Sequence, residues 1–219
     1  MFIGHFAAGF AAKRAAPGLS LGTLFVACQL ADLVWPLLVL AGVERFAIVP
    51  GITEVTPLDF QFYPYSHSLL ALAGWGALMA LGYRALRGRT PALVLVTLAA
   101  TVVSHWILDA VSHRPDLPVL PSGPLVGLEL WASRPLTMAV ELVMFGGGLW
   151  LYTSATKPAD RRGTGWLVAT AIVLLVIYLA NMFSPPPPSV TAVAYSALAM
   201  WLLVAMGYKI DRHRMPVRA

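Results

Sequence analysis

The stretch from Pro91 to Ser112 is predominantly apolar and is long enough to cross a bilayer as an α-helix. Its end carries a ladder of three ionisable residues spaced by four, namely His105, Asp109 and, just beyond the stretch, His113. Residues four positions apart lie on one side of a helix, about 6 Å from one step to the next. Ionisable groups are costly against lipid, whereas imidazole and carboxylate are the usual ligands of zinc and related ions. The stretch therefore predicts a transmembrane helix whose C-terminal end faces a metal site.

The rest of the chain has the same apolar character, with 58% hydrophobic and only 11% charged residues. Soluble domains carry about 25% charged residues, so we predict an all-α integral membrane protein. Its 219 residues suit one transmembrane domain, residues 1–219, with about six spans of about 20 residues each. The predicted spans cover about 19–42, 66–86, 91–112, 135–152, 166–183 and 190–208.

Shorter features complete the predicted bundle. Residues 1–12 form an apolar helix too short to span, which predicts a re-entrant or interfacial half-helix. Trp35-Pro36 predicts a kink in the first span, and Ser66 is a candidate cap for the second. The segment 44–65 reads as a polar loop, and the Gly146-Gly147-Gly148 step permits close helix contact.

The basic residues predict how the bundle is oriented. They occur at Lys13/Arg14, in 84–89, in 157–162 and in the C-terminal tail, and all four segments fall on one side of a six-span arrangement. The positive-inside rule makes that side cytoplasmic. The pocket formed by the ladder should then open outward. The net charge of +5 thus reflects the orientation of the bundle in the membrane. The sequence has no stripe of basic and aromatic residues of the kind that binds nucleic acid.

Several ionisable residues lie in or beside predicted spans, where a charged side chain costs about 2.5–3.5 kcal/mol on insertion scales. Such residues persist where they line a cavity, pair, or bind a ligand. Their convergence from separate spans predicts a shared metal site. The candidates are His5, Asp32, His67, His105, Asp109, His113 and Glu141.

Each candidate also has a structural interpretation. A lone intramembrane histidine is often a hydrogen-bonded packing residue, and His113 lies at the water boundary, where solvation is expected. Glu141 could pair with Arg134, and Asp116 could simply shape its loop. Ser66 lacks a Gly-x-Ser-x-Gly context, which disfavours a serine hydrolase.

The pattern of these residues resembles a known family. Gly4-His5-x-x-x-Gly9, Asp32, Ser66-His67-Ser68-Leu69 and His105-x-x-x-Asp109 are similar to motifs of the bacterial inner-membrane "membrane-bound metal-dependent hydrolase" family, over the first half of the chain. The order of candidate ligands also resembles, more distantly, the all-helical zinc phospholipase C and nuclease enzymes. The family's Asp-x-Asp and Thr-His-Ser are replaced by Asp32-Leu33-Val34 and Ser66-His67-Ser68, which leaves the number of metal ions open.

The resemblance implies metal-assisted hydrolysis of a membrane lipid or lipid-linked phosphoester, or an ester, at the outer half of a bacterial inner membrane. The implied cofactor is a divalent metal, with zinc favoured. We expect Asp109 or Glu141 to act as general base and His113 to protonate the leaving group or add a ligand. Tyr63, Trp106 and Trp131 are candidates for the pocket mouth. The expected metal ligands are His5, Asp32, His67, His105 and Asp109.

Other functions fit parts of the same pattern. A proton- or cation-coupled transporter would use similar residues, but the inner halves of spans two to six show no polar path. A non-catalytic membrane adaptor would need the histidines only for stability. A histidine-box di-iron oxidase would require more histidines, on the cytoplasmic face. The sequence leaves the substrate and the oligomeric state open.

Overall fold

A computed structural model describes residues 1–217 of the chain. Five helical segments in this part, the last of them Val190–Asp211, are long and apolar enough to cross a membrane, and a sixth span results if one bent pair is counted. The predicted all-α membrane bundle is therefore confirmed. The α-helices within residues 1–217 are α1 (Ile3–Ala15), α2 (Leu21–Cys28), α3 (Leu30–Leu40), α4 (Pro64–His67), α5 (Leu69–Arg87), α6 (Ala92–Ser112), α7 (Arg134–Ala155), α8 (Arg161–Phe183), α9 (Val190–Leu198) and α10 (Met200–Asp211).

Short antiparallel strand pairs close the ends of the bundle, where the sequence predicted only loops. Strands of two to five residues are too short for an alternating pattern to be recognised in the sequence. The pairs are β1 (Arg45–Ile48) with β2 (Leu58–Phe62), β3 (Leu117–Pro118) with β4 (Leu125–Val126), and β5 (Thr156–Pro158) with β6 (Arg214–Pro216).

Helix α1 is the buried centre of the fold and, as predicted, is too short to span. It packs along α7, where Gly148 lies directly against the backbone of Ala7. A Cβ at Gly148 would come within 2.6 Å of the Ala7 carbonyl oxygen. The predicted close contact at the glycine step is confirmed for this glycine only, because Gly146 and Gly147 have no atom of another segment within 4 Å of such a Cβ.

The first predicted span is two helices, α2 and α3, bent by 55° at Gln29. This bend lies seven residues before Pro36, where the sequence predicted a kink; Pro36 itself lies inside α3, which continues to Leu40. At the break, the Cys28 carbonyl oxygen accepts a hydrogen bond from His105 Nδ1 at 2.8 Å. A side chain that takes a backbone acceptor in this way is a recognised cause of helix bending.

The second predicted span also begins differently. Helix α4 ends at His67, and α5 starts anew after Ser68, whose hydroxyl accepts the Ala71 N–H. Ser68 is therefore the cap, and the prediction of Ser66 is wrong. The Ser66 hydroxyl instead donates to the buried carboxylate of Glu44 at 2.6 Å.

The basic ends of several helices meet at one end of the bundle. Lys13 at the end of α1 pairs with Asp211 at the end of α10, with 2.7 Å between Nζ and Oδ2. Tyr152 on α7 donates to the same carboxylate at 3.1 Å. The pairing of β5 with β6 holds the segment before α8 against the segment after α10 at the same end of the bundle. The ladder of α6 lies at the opposite end.

Candidate metal centre

The ladder on α6 faces the interior. His105 is 1% exposed, Asp109 is 2% exposed, and His113, just past the helix end, is 3% exposed. The expectation that His113 would be solvated is wrong, because its ring packs against two aromatic rings. The distance between ring centroids is 4.3 Å to Trp131 and 5.0 Å to Phe60.

Asp109 is the centre of a cluster formed by the side chains of His5, Asp32, His67, His105, Asp109 and His113. Its Oδ2 lies 3.1 Å from His105 Nε2, 3.9 Å from His113 Nε2 and 4.0 Å from His67 Nε2. Three imidazoles from α4, α6 and the turn after α6 therefore converge on a single carboxylate oxygen. Their ring nitrogens are the ligand type that divalent transition metals prefer.

The other oxygen of Asp109 faces α1. His5 Nε2 lies 3.0 Å from Oδ1, and the amino group of Met1 lies 2.7 Å from it. The rings of His5 and His105 are stacked, with centroids 3.7 Å apart and planes within 4°. The short N-terminal helix thus enters the bundle and brings His5 to the cluster, a position that the sequence left open.

Asp32 on α3 completes the arrangement from the other side. Its Oδ1 lies 3.3 Å from His67 Nε2 and 3.8 Å from His105 Nε2. Each of these two histidines is therefore within 4.0 Å of both Asp32 and Asp109. Zinc bonds of about 2.0–2.1 Å in a tetrahedron place neighbouring ligands about 3.3 Å apart, which is close to these separations.

Two groups of three residues keep their ligating atoms within 4.8 Å of one another, and both contain His105. The His105 Nε2 atom is buried and makes no hydrogen bond within the described residues. A buried, unpartnered ring nitrogen beside two carboxylates is the arrangement that a divalent cation would satisfy. The cluster can therefore hold a metal ion. The groups are His5, His105 and Asp109, and Asp32, His67 and His105.

Hydrogen bonds to Nδ1, the ring nitrogen that faces away from Asp109, fix the orientation of His105 and His113. His105 Nδ1 bonds the Cys28 carbonyl at 2.8 Å, and His113 Nδ1 lies 3.0 Å from Asp116. Tyr63, predicted at the pocket mouth, is buried and donates to Asp116 at 3.3 Å. Burial and the Asp116 charge raise the pKa of Tyr63, so its hydroxyl keeps its proton. Asp116 thus orients His113 as well as shaping its loop.

Glu141 does not pair with Arg134, so that interpretation is wrong. Its Oε2 accepts the backbone N–H groups of Phe2 at 2.9 Å and Gly4 at 3.0 Å, which anchors the first turn of α1. Arg134 instead bonds Glu54 in the loop between β1 and β2. Helix N–H groups lack intrahelical partners in the first turn, and a carboxylate is their natural acceptor.

A cavity of about 600 Å³ opens beside the cluster. Asp32, His67, Asp109 and His113 line one side, and Trp131 contributes to the wall as expected. Among the described residues, Trp106 is not part of this lining, since its indole N–H bonds the Pro118 carbonyl. The opposite wall comes from α8, the turn after it, and α9 with the start of α10, including Ile177, Met182, Pro186, Val193, Ala197 and Met200.

Comparison with known proteins found no family model, no curated protein and no solved structure that matches this chain. The geometry of the cluster is therefore the main guide to function. Sequence reasoning missed Glu44 and underrated Asp116, both of which lie outside the spans and contact histidines or their neighbours. An acidic residue in a loop carries no spacing signal that would link it to a histidine elsewhere in the chain.

Proposed function

We propose that the chain is a membrane-embedded, metal-dependent hydrolase acting on a lipid or lipid-linked phosphoester, or an ester. The observation that carries this proposal is the placement of two imidazole Nε2 atoms, of His67 and His105, between the buried carboxylate of Asp109 and the half-buried carboxylate of Asp32. The resemblance of the motifs to the membrane-bound metal-dependent hydrolases points to the same class.

Zinc is the ion that this donor set favours, because nitrogen and carboxylate oxygen ligands about 3–4 Å apart suit a small tetrahedral cation. Asp32, His67, His105 and Asp109 would hold it. His5 would hold the second oxygen of Asp109 or bind a further ion. When bound, zinc supplies Lewis acidity, which makes water more acidic and polarises a phosphoryl or acyl oxygen.

The remaining groups serve the proton transfers. His113 carries a hydrogen-bonded Asp116 on Nδ1 and presents Nε2 toward the Asp109 side of the cavity. It is placed to hold a proton and pass it to a leaving group. Glu141 lines the same cavity, but two backbone N–H groups already occupy Oε2. Asp109 and Glu141 are the candidate general bases.

The cavity supports an amphiphilic substrate. Its polar side is the cluster, and its other side is mainly apolar, with Asn181 and Ser196 among the side chains of two membrane-length segments, α8 and α9–α10. The head of a lipid would lie at the cluster with its chain along the apolar wall. We further propose a bacterial inner membrane with the basic end cytoplasmic and the cavity facing outward, as the positive-inside rule favours.

The test is zinc content together with hydrolysis by purified protein. Wild type should take up zinc and cleave a p-nitrophenyl phosphodiester that carries a long alkyl chain. His105→Gln and Asp32→Asn should lose both properties. His213→Gln is the matched control, because this histidine bonds Asp160 at the opposite end of the bundle.

Negligible zinc in wild type after zinc loading would end the proposal. Zinc uptake without hydrolysis of phosphodiester or carboxylic ester probes would favour ion binding or transport over catalysis. Equal zinc content in wild type and in both cluster variants would place the metal elsewhere.

A further inference from the structure

A hydrogen-bonded chain approaches His67 from the side away from the cluster. Glu44, in the connection between α3 and β1, is 1% exposed. Its Oε1 accepts the backbone N–H groups of Tyr65 at 2.8 Å and Ser66 at 2.9 Å. Its Oε2 accepts the Ser66 hydroxyl at 2.6 Å, and the same hydroxyl oxygen lies 2.7 Å from His67 Nδ1.

The number of available hydrogens sets the direction of this chain. A carboxylate only accepts, so the hydrogen between Glu44 and Ser66 belongs to the Ser66 hydroxyl. That hydroxyl has no second hydrogen, so the contact with His67 must use a hydrogen on Nδ1. A neutral ring with hydrogen on Nδ1 has a free lone pair on Nε2.

That lone pair faces another acceptor. His67 Nε2 lies 3.3 Å from Asp32 Oδ1. Two acceptors at this separation oppose each other unless a second ring proton or a metal ion lies with them. In the neutral ring the hydrogen-bonded chain leaves Nε2 free to be a ligand, and Asp32 beside it offers a second ligand for a metal ion.

We propose that Glu44 and Ser66 are positioning residues that fix the tautomer and orientation of His67 for metal binding. The inference rests on the proposed metal site and assigns a role to two residues outside it. Groups that hydrogen-bond the far nitrogen of a metal-binding histidine commonly change metal affinity by about 10- to 100-fold when removed. The peptide N–H groups of Tyr65 and Ser66 hold the carboxylate in place, so the chain is preformed.

Glu44→Gln is the sharpest variant because it preserves shape and reverses the chain. The amide oxygen can keep the two backbone N–H groups, and the amide NH₂ then donates to Ser66. The Ser66 hydroxyl is then released to donate to His67 Nδ1, which moves the ring hydrogen to Nε2. Ser66→Ala removes the link without supplying a new donor. Glu54→Gln is the control, since Glu54 is an exposed carboxylate that bonds Arg134.

Two measurements separate this inference from the proposed function. The ¹⁵N resonances of the histidine side chains in zinc-free protein report the tautomer of His67, and titration with zinc reports affinity. We expect hydrogen on Nδ1 in wild type and in Glu54→Gln, and hydrogen on Nε2 in Glu44→Gln. Zinc affinity should fall about 10- to 100-fold in Glu44→Gln and in Ser66→Ala, and it should be unchanged in Glu54→Gln.

Hydrogen on Nε2 of His67 in wild type would overturn the inference, as would wild-type tautomer and wild-type zinc affinity in Glu44→Gln. If wild type binds no zinc but the tautomer reverses in Glu44→Gln, the positioning of His67 stands and the proposed metal chemistry fails. If zinc binds and neither variant changes its affinity or the tautomer, the metal site stands and this inference fails.

Discussion

Two aspartates near opposite ends of α1 show how differently a polar cluster can be built in one fold. Asp211 receives the Lys13 ammonium at 2.7 Å, the Tyr152 hydroxyl at 3.1 Å and the backbone N–H of Leu21. All three partners are donors that carry their own hydrogens. The carboxylate is satisfied on both oxygens, and no further ligand is needed.

Asp109 is surrounded mainly by imidazoles, which can present a lone pair as well as a hydrogen. His105 Nε2 makes no hydrogen bond within the described residues, although it lies 3.1 Å from Asp109 Oδ2. The cluster also borders the large cavity, whereas Asp211 does not line it. The comparison teaches that burial of charge alone does not indicate function. A cluster that leaves buried acceptor atoms without hydrogens beside a cavity is the better candidate for a ligand site.

The largest expected effect comes from removing one charge at each end. Asp109→Asn should reduce zinc affinity by at least about 100-fold, because it deletes the carboxylate shared by the converging imidazoles. Asp211→Asn should leave zinc affinity within about twofold of wild type, since it does not touch the cluster. It should lower stability by about 3 kcal/mol, because it leaves the Lys13 ammonium buried without its counter-ion.

Zinc titration and thermal unfolding in the same detergent would measure both effects. The comparison breaks if Asp211→Asn loses zinc as strongly as Asp109→Asn, because both clusters would then depend on one global property of the fold.

Hydropathy and local spacing predicted much of this architecture. The long apolar runs gave the spans, and the four-residue spacing placed His105 and Asp109 on one inward face. The bend at Gln29 was missed because its partner, the His105 ring, is distant in sequence. Proline was the visible local signal, yet Pro36 is accommodated within α3.

The convergence of the cluster was harder to derive than its members. His5, Asp32 and His67 were identified as ionisable residues in apolar surroundings, but only the packing of α1, α3 and α4 fixes their separations. Glu44 could not be recognised, because its function depends on two loops meeting beside α4.

A second prediction tests whether the packing of α1 against α7 supports both the stability of the fold and the position of His5 in the cluster. Gly148→Val should displace α1 from α7, because even a Cβ there would overlap the Ala7 backbone. We expect a loss of about 1–3 kcal/mol in stability, as for other overpacked sites, together with weaker zinc binding through movement of His5. Gly147→Val is the matched control, since no atom of another segment lies within 4 Å of its added Cβ.

Thermal unfolding and zinc titration of the two glycine variants check this prediction. Equal behaviour of Gly148→Val and Gly147→Val would show that the contact of α1 with α7 does not position the cluster.

The smallest expected effect lies at the exposed edge of the basic end. His213 Nδ1 is 2.8 Å from Asp160 Oδ2, and this hydrogen bond lowers the pKa of the Asp160 carboxyl from its ordinary value of 3.8. A lowered pKa in the folded state means that the interaction stabilises the fold above pH 3.8 and is lost as pH falls through the lowered value. Asp160→Asn can keep the oxygen that caps α8, so it removes the charge and the hydrogen-bond acceptor of His213.

Unfolding midpoints of wild type and Asp160→Asn should therefore differ slightly at about pH 5 and converge in stronger acid. Zinc affinity should be the same in both proteins, because the pair lies at the end opposite to the cluster. A difference in midpoint that persisted in strong acid would assign the effect to the cap of α8 rather than to the charge. A change in zinc affinity would show that even the exposed charges of the basic end influence the cluster, and the two ends could no longer be treated as independent.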